Sequence, residues 1–123
     1  MRRGPEYLAV AALAAVLLPV TGQAQDCANA VTQLDMNRCA EIEWSQADAT
    51  LNQLWSQVKP QADGMGLGDQ LLGAQRAWLA HRDATCAYEQ ATFAGGSIAP
   101  LIYWSCMRRL TEQRNADLGG LLN

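Results

Sequence analysis

The stretch from Leu71 to Cys86 constrains the fold more than any other part of the chain. It has no proline and many good helix formers, so it predicts a helix. Gln75, Trp78 and Arg82 recur at steps of three and four, which places them on one otherwise apolar face. Burying polar groups without partners costs free energy. We therefore expect a carboxylate partner for Arg82, a bond from Gln75 to another helix, and Trp78 as the main aromatic anchor of the core.

A long first helix carries the strongest periodic signal. Thr32 starts a sequence with capping-box spacing, so the helix is expected to begin near Leu34, and Pro60 is expected to end it. Apolar residues within it recur at alternating steps of four and three, the pattern of one buried helix face. The members of this seam are Ala40, Trp44, Ala47, Leu51, Leu54 and Val58.

Polar residues beside these faces predict a structural polar core. Asp48 and Asn52 lie at the edge of the seam, and Asp48 is the expected partner of Arg82. Removing Asp48 alone should then cost several kcal/mol, because Arg82 would be left unpaired. A catalytic acid held by a cation is the alternative interpretation. The predicted set is Asp48, Asn52, Gln75, Trp78, Arg82 and Arg114.

The remaining segments complete an all-α prediction. Residues 61–68 contain three glycines and predict a loop, after which Asp69 is expected to cap the central helix. That helix should run to about Thr92 and stop at the glycines that follow. Ser97 is expected to cap a last helix, with Pro100 in its first turn, and residues 119–120 to end it. The predicted fold is a small disulfide-stapled bundle: two long antiparallel helices, a third helix across them, and a short amino-terminal helical turn over residues 26–31.

The amino terminus predicts export. A basic start is followed by an apolar core over residues 8–20 and by small residues at the positions that a signal peptidase reads. Residues 1–24 are therefore expected to be a secretory signal peptide, and residues 25–123 a single helical domain in the periplasm or outside the cell. Cys27 is not preceded by a lipobox, so no membrane anchor is expected after cleavage.

The charge of the expected domain excludes some partners. Removal of residues 1–24 takes away two arginines and one glutamate, which leaves seven basic and eleven acidic residues, a net charge of −4 against −3 for the whole chain. An acidic domain is poorly matched to nucleic acid and better matched to a cationic partner.

Four cysteines remain in that domain, and an even number in a small exported domain indicates disulfides. Three pairings are possible. We favour Cys27 with Cys39 and Cys86 with Cys106, because each bridge would close a local helical turnaround. A zinc site of four cysteines is the alternative, although the spacing does not favour it. No metal or cofactor is expected.

One combination of motifs extends along the chain. It consists of the four cysteines, residues 36–40, 47–48, 51–52, 74–79, 82–84 and 95–97, and Leu110, Thr111 and Arg114. Together these motifs resemble a bacterial family of small exported helical domains typified by the lysozyme inhibitor LprI. The resemblance covers nearly all of residues 25–123 and implies an all-helical, disulfide-stapled domain in the cell envelope. For the type member it also implies binding and inhibition of lysozyme. That member is a lipoprotein, whereas no lipid anchor is expected for this chain.

The sequence therefore predicts a binding protein rather than an enzyme. Its expected partner is a lysozyme or a related wall hydrolase, and the candidate partner-binding residues are Gly95, Gly96, Ser97 and Tyr103. The alternative for the glycines and Ser97 is a helix stop followed by a helix cap. The alternative for the whole protein is a periplasmic protein-interaction module that does not inhibit. A small hydrolase that uses carboxylates such as Asp48 and Glu41 has less support.

Overall fold

The chain forms an all-helical bundle in the computed structural model, which describes residues 26–122. Its helices are α1 (Gln33–Gly64), α2 (Gly68–Ala91) and α3 (Ala99–Gly119), and a 3-10 turn (Cys27–Asn29) precedes them. No strand occurs within the described residues, so the predicted fold class is confirmed. The predicted signal peptide, residues 1–24, lies outside this range. No helix in residues 26–122 is long and apolar enough to cross a membrane.

The three helices run up, down and up. Contacts between α1 and α3 follow the same order along both helices, so these two helices are parallel. Contacts that α2 makes follow the opposite order, so α2 is antiparallel to both neighbours. Paired positions that show this are Asn37 with Ser97 and Gln61 with Leu121 for α1 and α3, and Gln75 with Arg114 and Cys86 with Cys106 for α2 and α3.

The start of α1 follows the prediction, but its end does not. Thr32 is the N-cap, and its hydroxyl accepts a hydrogen bond from the backbone N–H of Asp35 at 3.1 Å. The expectation that Pro60 ends the helix is wrong, because α1 continues to Gly64. Proline removes the backbone donor that would bond the carbonyl of Ser56. Both residues are exposed, so water can satisfy that carbonyl and the helix tolerates the proline.

A glycine turn ends α1 instead. Gly66 has a φ of +74°, and its N–H donates to the carbonyl of Asp63 while the N–H of Leu67 donates to that of Ala62. This pair of bonds is the Schellman arrangement, which satisfies carbonyls that the helix end would leave free. The predicted loop over residues 61–68 is therefore only the short turn at 65–67.

The other two helices begin differently from the prediction. Asp69 lies inside the first turn of α2, where its charge suits the helix dipole, and Leu67 takes the N-cap position without a side-chain bond. Ile98, not Ser97, takes the N-cap position of α3, also without a side-chain bond, and Pro100 lies in the first turn as expected. The predicted caps at Asp69 and Ser97 are therefore wrong.

Two apolar clusters fill the bundle, and the predicted seam of α1 contributes to both. The cluster near the α2–α3 turn surrounds a disulfide and packs against the ring of Trp44, which lies 4.9 Å from that of Trp104. Trp78 is only partly buried at the edge of the other cluster, so it is not the main aromatic anchor. The buried members are Cys86, Cys106, Met107 and Leu110 in the first cluster, and Leu51, Val58 and Leu118 in the second.

Candidate functional site

Both disulfides lie toward the end of the bundle where α2 turns into α3. Cys27 pairs with Cys39, and Cys86 pairs with Cys106, which is the pairing that the sequence favoured. The first bridge ties the 3-10 turn to the beginning of α1. The second joins α2 to α3 close to the connection between them. This end of the molecule is therefore covalently held, so a partner that bound there would have little flexible chain to order.

The α2–α3 loop, residues 92–98, is held in place by hydrogen bonds as well. The side-chain amide of Asn37 on α1 donates to the carbonyl of Ser97 at 3.1 Å. Asn37 is itself oriented by Gln33, whose amide donates to its oxygen at 2.8 Å. Within the loop, the N–H of Gly96 donates to the carbonyl of Phe93 at 2.9 Å, and Gly95 has a φ of +82°, which favours glycine.

The loop also presents donors that the protein itself does not use. The backbone N–H groups of Gly95 and Ser97 donate to no residue in the described part of the chain, and neither does the Ser97 hydroxyl. Residues 92–97 are exposed to solvent. Since Ser97 does not cap α3, its hydroxyl is free to bond an external acceptor. The arrangement suits a carboxylate, because these N–H and O–H donors occur within three residues of the chain just before α3 begins.

The structure adds apolar residues to this surface and shows how far the predicted residue Tyr103 is buried. Phe93, the chain's only phenylalanine, has 43% of its surface exposed within the loop, and Leu34 on the first turn of α1 is also exposed. Tyr103 is instead half-buried, packed edge-on against Trp104 at 4.8 Å. Phe93 is not among the residues predicted from the sequence, because it precedes the glycines that mark the end of the helix. Its position outside any apolar period is the signal that could have indicated it.

The predicted polar residues form a second feature, between the helices. Arg82 is buried, and three groups approach it: Asp83 at 3.0 Å, the Thr111 hydroxyl at 3.4 Å and Asp48 at 3.9 Å. Its guanidinium carbon also lies 5.1 Å from the centre of the Trp78 ring. Asp48 on α1 is therefore a partner of Arg82, as expected, but the carboxylate of the neighbouring residue Asp83 lies closer.

Gln75 and Arg114 complete this polar cluster. The Nε of Arg114 donates to the Oε1 of Gln75 at 2.9 Å, so Gln75 bonds to another helix as expected. The guanidinium of Arg114 lies 5.8 Å from the Trp78 ring, on which two cations therefore converge. Asn52 is exposed and stays outside the cluster. This geometry suits a structural role, because the two arginines of the cluster are held by neighbouring side chains of the protein itself.

The extra partners of Arg82 change the expected effect of removing Asp48. We expect Asp48→Ala to lower the free energy of unfolding by about 1 kcal/mol rather than several, because Asp83 and Thr111 still bond the guanidinium. Urea denaturation followed by tryptophan fluorescence measures this difference. Asp117→Ala, an exposed site on α3, is the control and should change stability little. A loss of about 3 kcal/mol or more would show that Asp48 is the essential counter-ion.

Possible metal ligands are not grouped together in the described part of the chain. All four cysteines are in disulfides, and residues 26–122 contain no group of three or more His, Cys, Asp or Glu side chains that could hold a metal ion. His81, the chain's only histidine, is exposed on α2.

Known proteins are similar to this chain over most of its length. Residues 24–118 match the family model described as "Lysozyme inhibitor LprI". A curated protein of Rhizobium meliloti (strain 1021), named "Uncharacterized protein R02472", is 37% identical to this chain, and the match covers 79% of this chain and 78% of that protein. No solved structure matches the chain.

Proposed function

Because the chain belongs to the LprI family of lysozyme inhibitors, we propose that it is an exported, non-catalytic protein that binds and blocks a lysozyme-class cell-wall hydrolase. The observation that carries the proposal is the α2–α3 loop, which is held at the disulfide-bridged end and offers unused hydrogen-bond donors. We place the protein in the periplasm or outside the cell, where its two disulfides would persist.

The chemistry of the loop suits the cleft of such a hydrolase. Lysozyme-class glycosidases act through two carboxyl groups that flank the bound sugar. The N–H groups of Gly95 and Ser97, with the Ser97 hydroxyl, could donate to those carboxylates. The two glycines allow the backbone to approach the cleft closely. Phe93 would then cover apolar surface at the edge of the contact.

Charge supports the encounter between the two proteins. The expected domain carries a net charge of −4, and a basic hydrolase would be attracted to it. This attraction acts mainly on the association rate and weakens as salt is added.

A turbidity assay of cell-wall lysis tests the proposal. The oxidised exported protein at micromolar concentration should slow lysis by at least one lysozyme of the chicken, goose or invertebrate type. If it slows none of them, inhibition of these lysozymes is rejected.

The loop surface makes a specific prediction. Phe93→Asp should raise the concentration needed for half-inhibition by about tenfold or more, because it replaces an exposed apolar contact with a charge that would be buried in the interface. The matched control is Met65→Asp, which places the same charge on an exposed apolar residue at the opposite end of the bundle. Equal effects of the two substitutions would remove the loop from the inhibitory surface.

A second candidate function is a protein-interaction module that does not inhibit. The observation that favours it is an apolar groove of about 330 Å³ where α1 turns into α2, lined by residues that include Val58, Met65, Leu67 and Leu121. Three of these side chains are about half exposed, and such apolar patches mark interaction sites. Loss of partner binding in Met65→Asp, with Phe93→Asp unaffected, would favour this candidate.

A further inference from the structure

A separate groove between α1 and α2 combines apolar walls with polar groups that have unused bonding capacity. Its volume is about 290 Å³, close to the lower end of small-ligand pockets. The two helices contribute four residues each. The lining residues are Asp48, Leu51, Asn52 and Trp55 from α1, and Leu72, Gln75, Arg76 and Leu79 from α2.

Gln75 supplies a fixed donor in this groove. Only 7% of its surface is exposed, and its Oε1 accepts from the Nε of Arg114 at 2.9 Å. An arginine can only donate, so this bond fixes which side of the amide holds the oxygen and directs the NH₂ group away from Arg114. No residue in the described range accepts a bond from Nε2, and this nitrogen keeps some solvent contact although Gln75 as a whole is buried. Because Gln75 lines the groove, a ligand there could accept a bond from Nε2.

Asp48 supplies an acceptor in the same groove. Its carboxylate accepts no hydrogen bond from residues 26–122, and the nearest cation, Arg82, stands 3.9 Å away. About a third of its side chain is exposed. Arg76 adds a positive charge to the lining, so the two ionised groups of the groove have opposite signs. A ligand without net charge suits this balance better than an anion or a cation.

We propose that this groove binds a carbohydrate chain that contains N-acetylated amino sugars. An acetamido group has one carbonyl acceptor, one N–H donor and a methyl group. The Nε2 of Gln75 would donate to that carbonyl, Asp48 would accept from that N–H, and the methyl group would lie against Leu72 and Leu79. The partly buried ring of Trp55 offers an apolar surface for the C–H face of a sugar.

This site is distinct from the α2–α3 loop and does not depend on inhibition of a hydrolase. The groove lies on α1 and α2, whereas the loop lies at the disulfide-bridged end. The protein could therefore hold a wall-derived saccharide whether or not it blocks an enzyme, and failure of one proposal leaves the other standing.

Titration of the ¹⁵N-labelled, oxidised exported protein, followed by NMR, tests the proposal. The probe is N,N′,N″-triacetylchitotriose, and maltotriose is the control saccharide without acetamido groups. The side-chain amide of Gln75 and the indole N–H of Trp55 should shift and saturate with the first probe only. The proposal is overturned if millimolar triacetylchitotriose causes no shift, if maltotriose causes equal shifts, or if the shifts are confined to other surfaces. Binding of another protein to the groove would not rescue it.

A matched pair of variants sharpens the test. Gln75→Glu keeps an acceptor for Arg114 but removes the amide donor, and it should weaken saccharide binding by about tenfold. Gln46→Glu makes the same change at an exposed position of α1 outside the groove and should leave binding unchanged. Equal affinity of Gln75→Glu and the native protein would contradict the assigned role. The native titration decides the proposal even if Gln75→Glu does not fold.

Discussion

Replacing Cys86 and Cys106 together by alanine is expected to lower the free energy of unfolding by about 4 kcal/mol. The chain entropy released by opening a loop of 20 residues accounts for roughly 3 kcal/mol. The rest comes from lost packing, since both cysteines are almost fully buried within the cluster that contains Met107 and Leu110. A small domain has only about 5 to 15 kcal/mol of stability, so this loss should bring the protein close to unfolding at 37 °C. Urea denaturation of the oxidised protein and the double variant measures it.

The other bridge is the natural comparison. Cys27 is exposed and lies in the 3-10 turn before α1. Removing the Cys27–Cys39 bridge therefore frees a shorter loop, with a separation of 12 residues, and disturbs little core packing around Cys27. We expect the double alanine variant at these positions to lose less stability than the variant at Cys86 and Cys106. A larger loss for this exposed bridge would contradict the view that the second bridge is part of the core.

Leu118→Ala is expected to cost about 3 kcal/mol. Leu118 is fully buried between the helices, in one cluster with Leu51 and Val58. Truncation removes apolar contacts and leaves a cavity, and such changes typically cost 2 to 5 kcal/mol. For a domain of roughly 100 residues the melting temperature should fall by more than about 10 °C, as measured by circular dichroism.

The matched control is Leu121→Ala, three residues farther along the chain. Leu121 is about half exposed, so its truncation should change the free energy of unfolding by less than about 1 kcal/mol. If the two variants had equal stability, Leu118 would not lie in the core as described.

The sequence was sufficient to predict the helical fold because its strongest signals are periodic. The seam of α1 repeats over five turns, and its members Ala40, Ala47, Leu51 and Val58 are all buried. The favoured cysteine pairing rested on helices that turn back on themselves, and it is the pairing observed. Both signals are local in sequence, although the cysteines alone allow three pairings.

The errors arose where tertiary context overrides a local rule. Proline is an unfavourable residue inside a helix, but the bond lost at Pro60 lies on the solvent face, and Val58 and Ala62 on either side remain buried in the bundle. Trp78 sits on a regular apolar stripe, yet the guanidiniums of Arg82 and Arg114 share its ring and keep it at the edge of the core.

The candidate site could be located from the sequence only in part. Adjacent glycines followed by serine mark a loop, and residues 95–97 do lie in the α2–α3 loop. Which hydrogen-bond donors the loop exposes depends on distant contacts that hold it in place. One example is the bond from Asn37 to Ser97, which are 60 positions apart. Whether the Ser97 hydroxyl caps a helix or stays free is decided by backbone geometry, which residue types alone did not predict.

We propose that the disulfide-bridged end of this bundle recognises a cell-wall hydrolase. Hydrogen–deuterium exchange of the oxidised protein, alone and mixed with lysozymes of the chicken, goose and invertebrate types, tests this proposal most directly. With at least one of them we expect slower exchange in residues 92–98 and in the first turn of α1, with residues 58–71 unchanged. Slower exchange confined to residues 58–71, or no change with any of these lysozymes, would contradict the proposal.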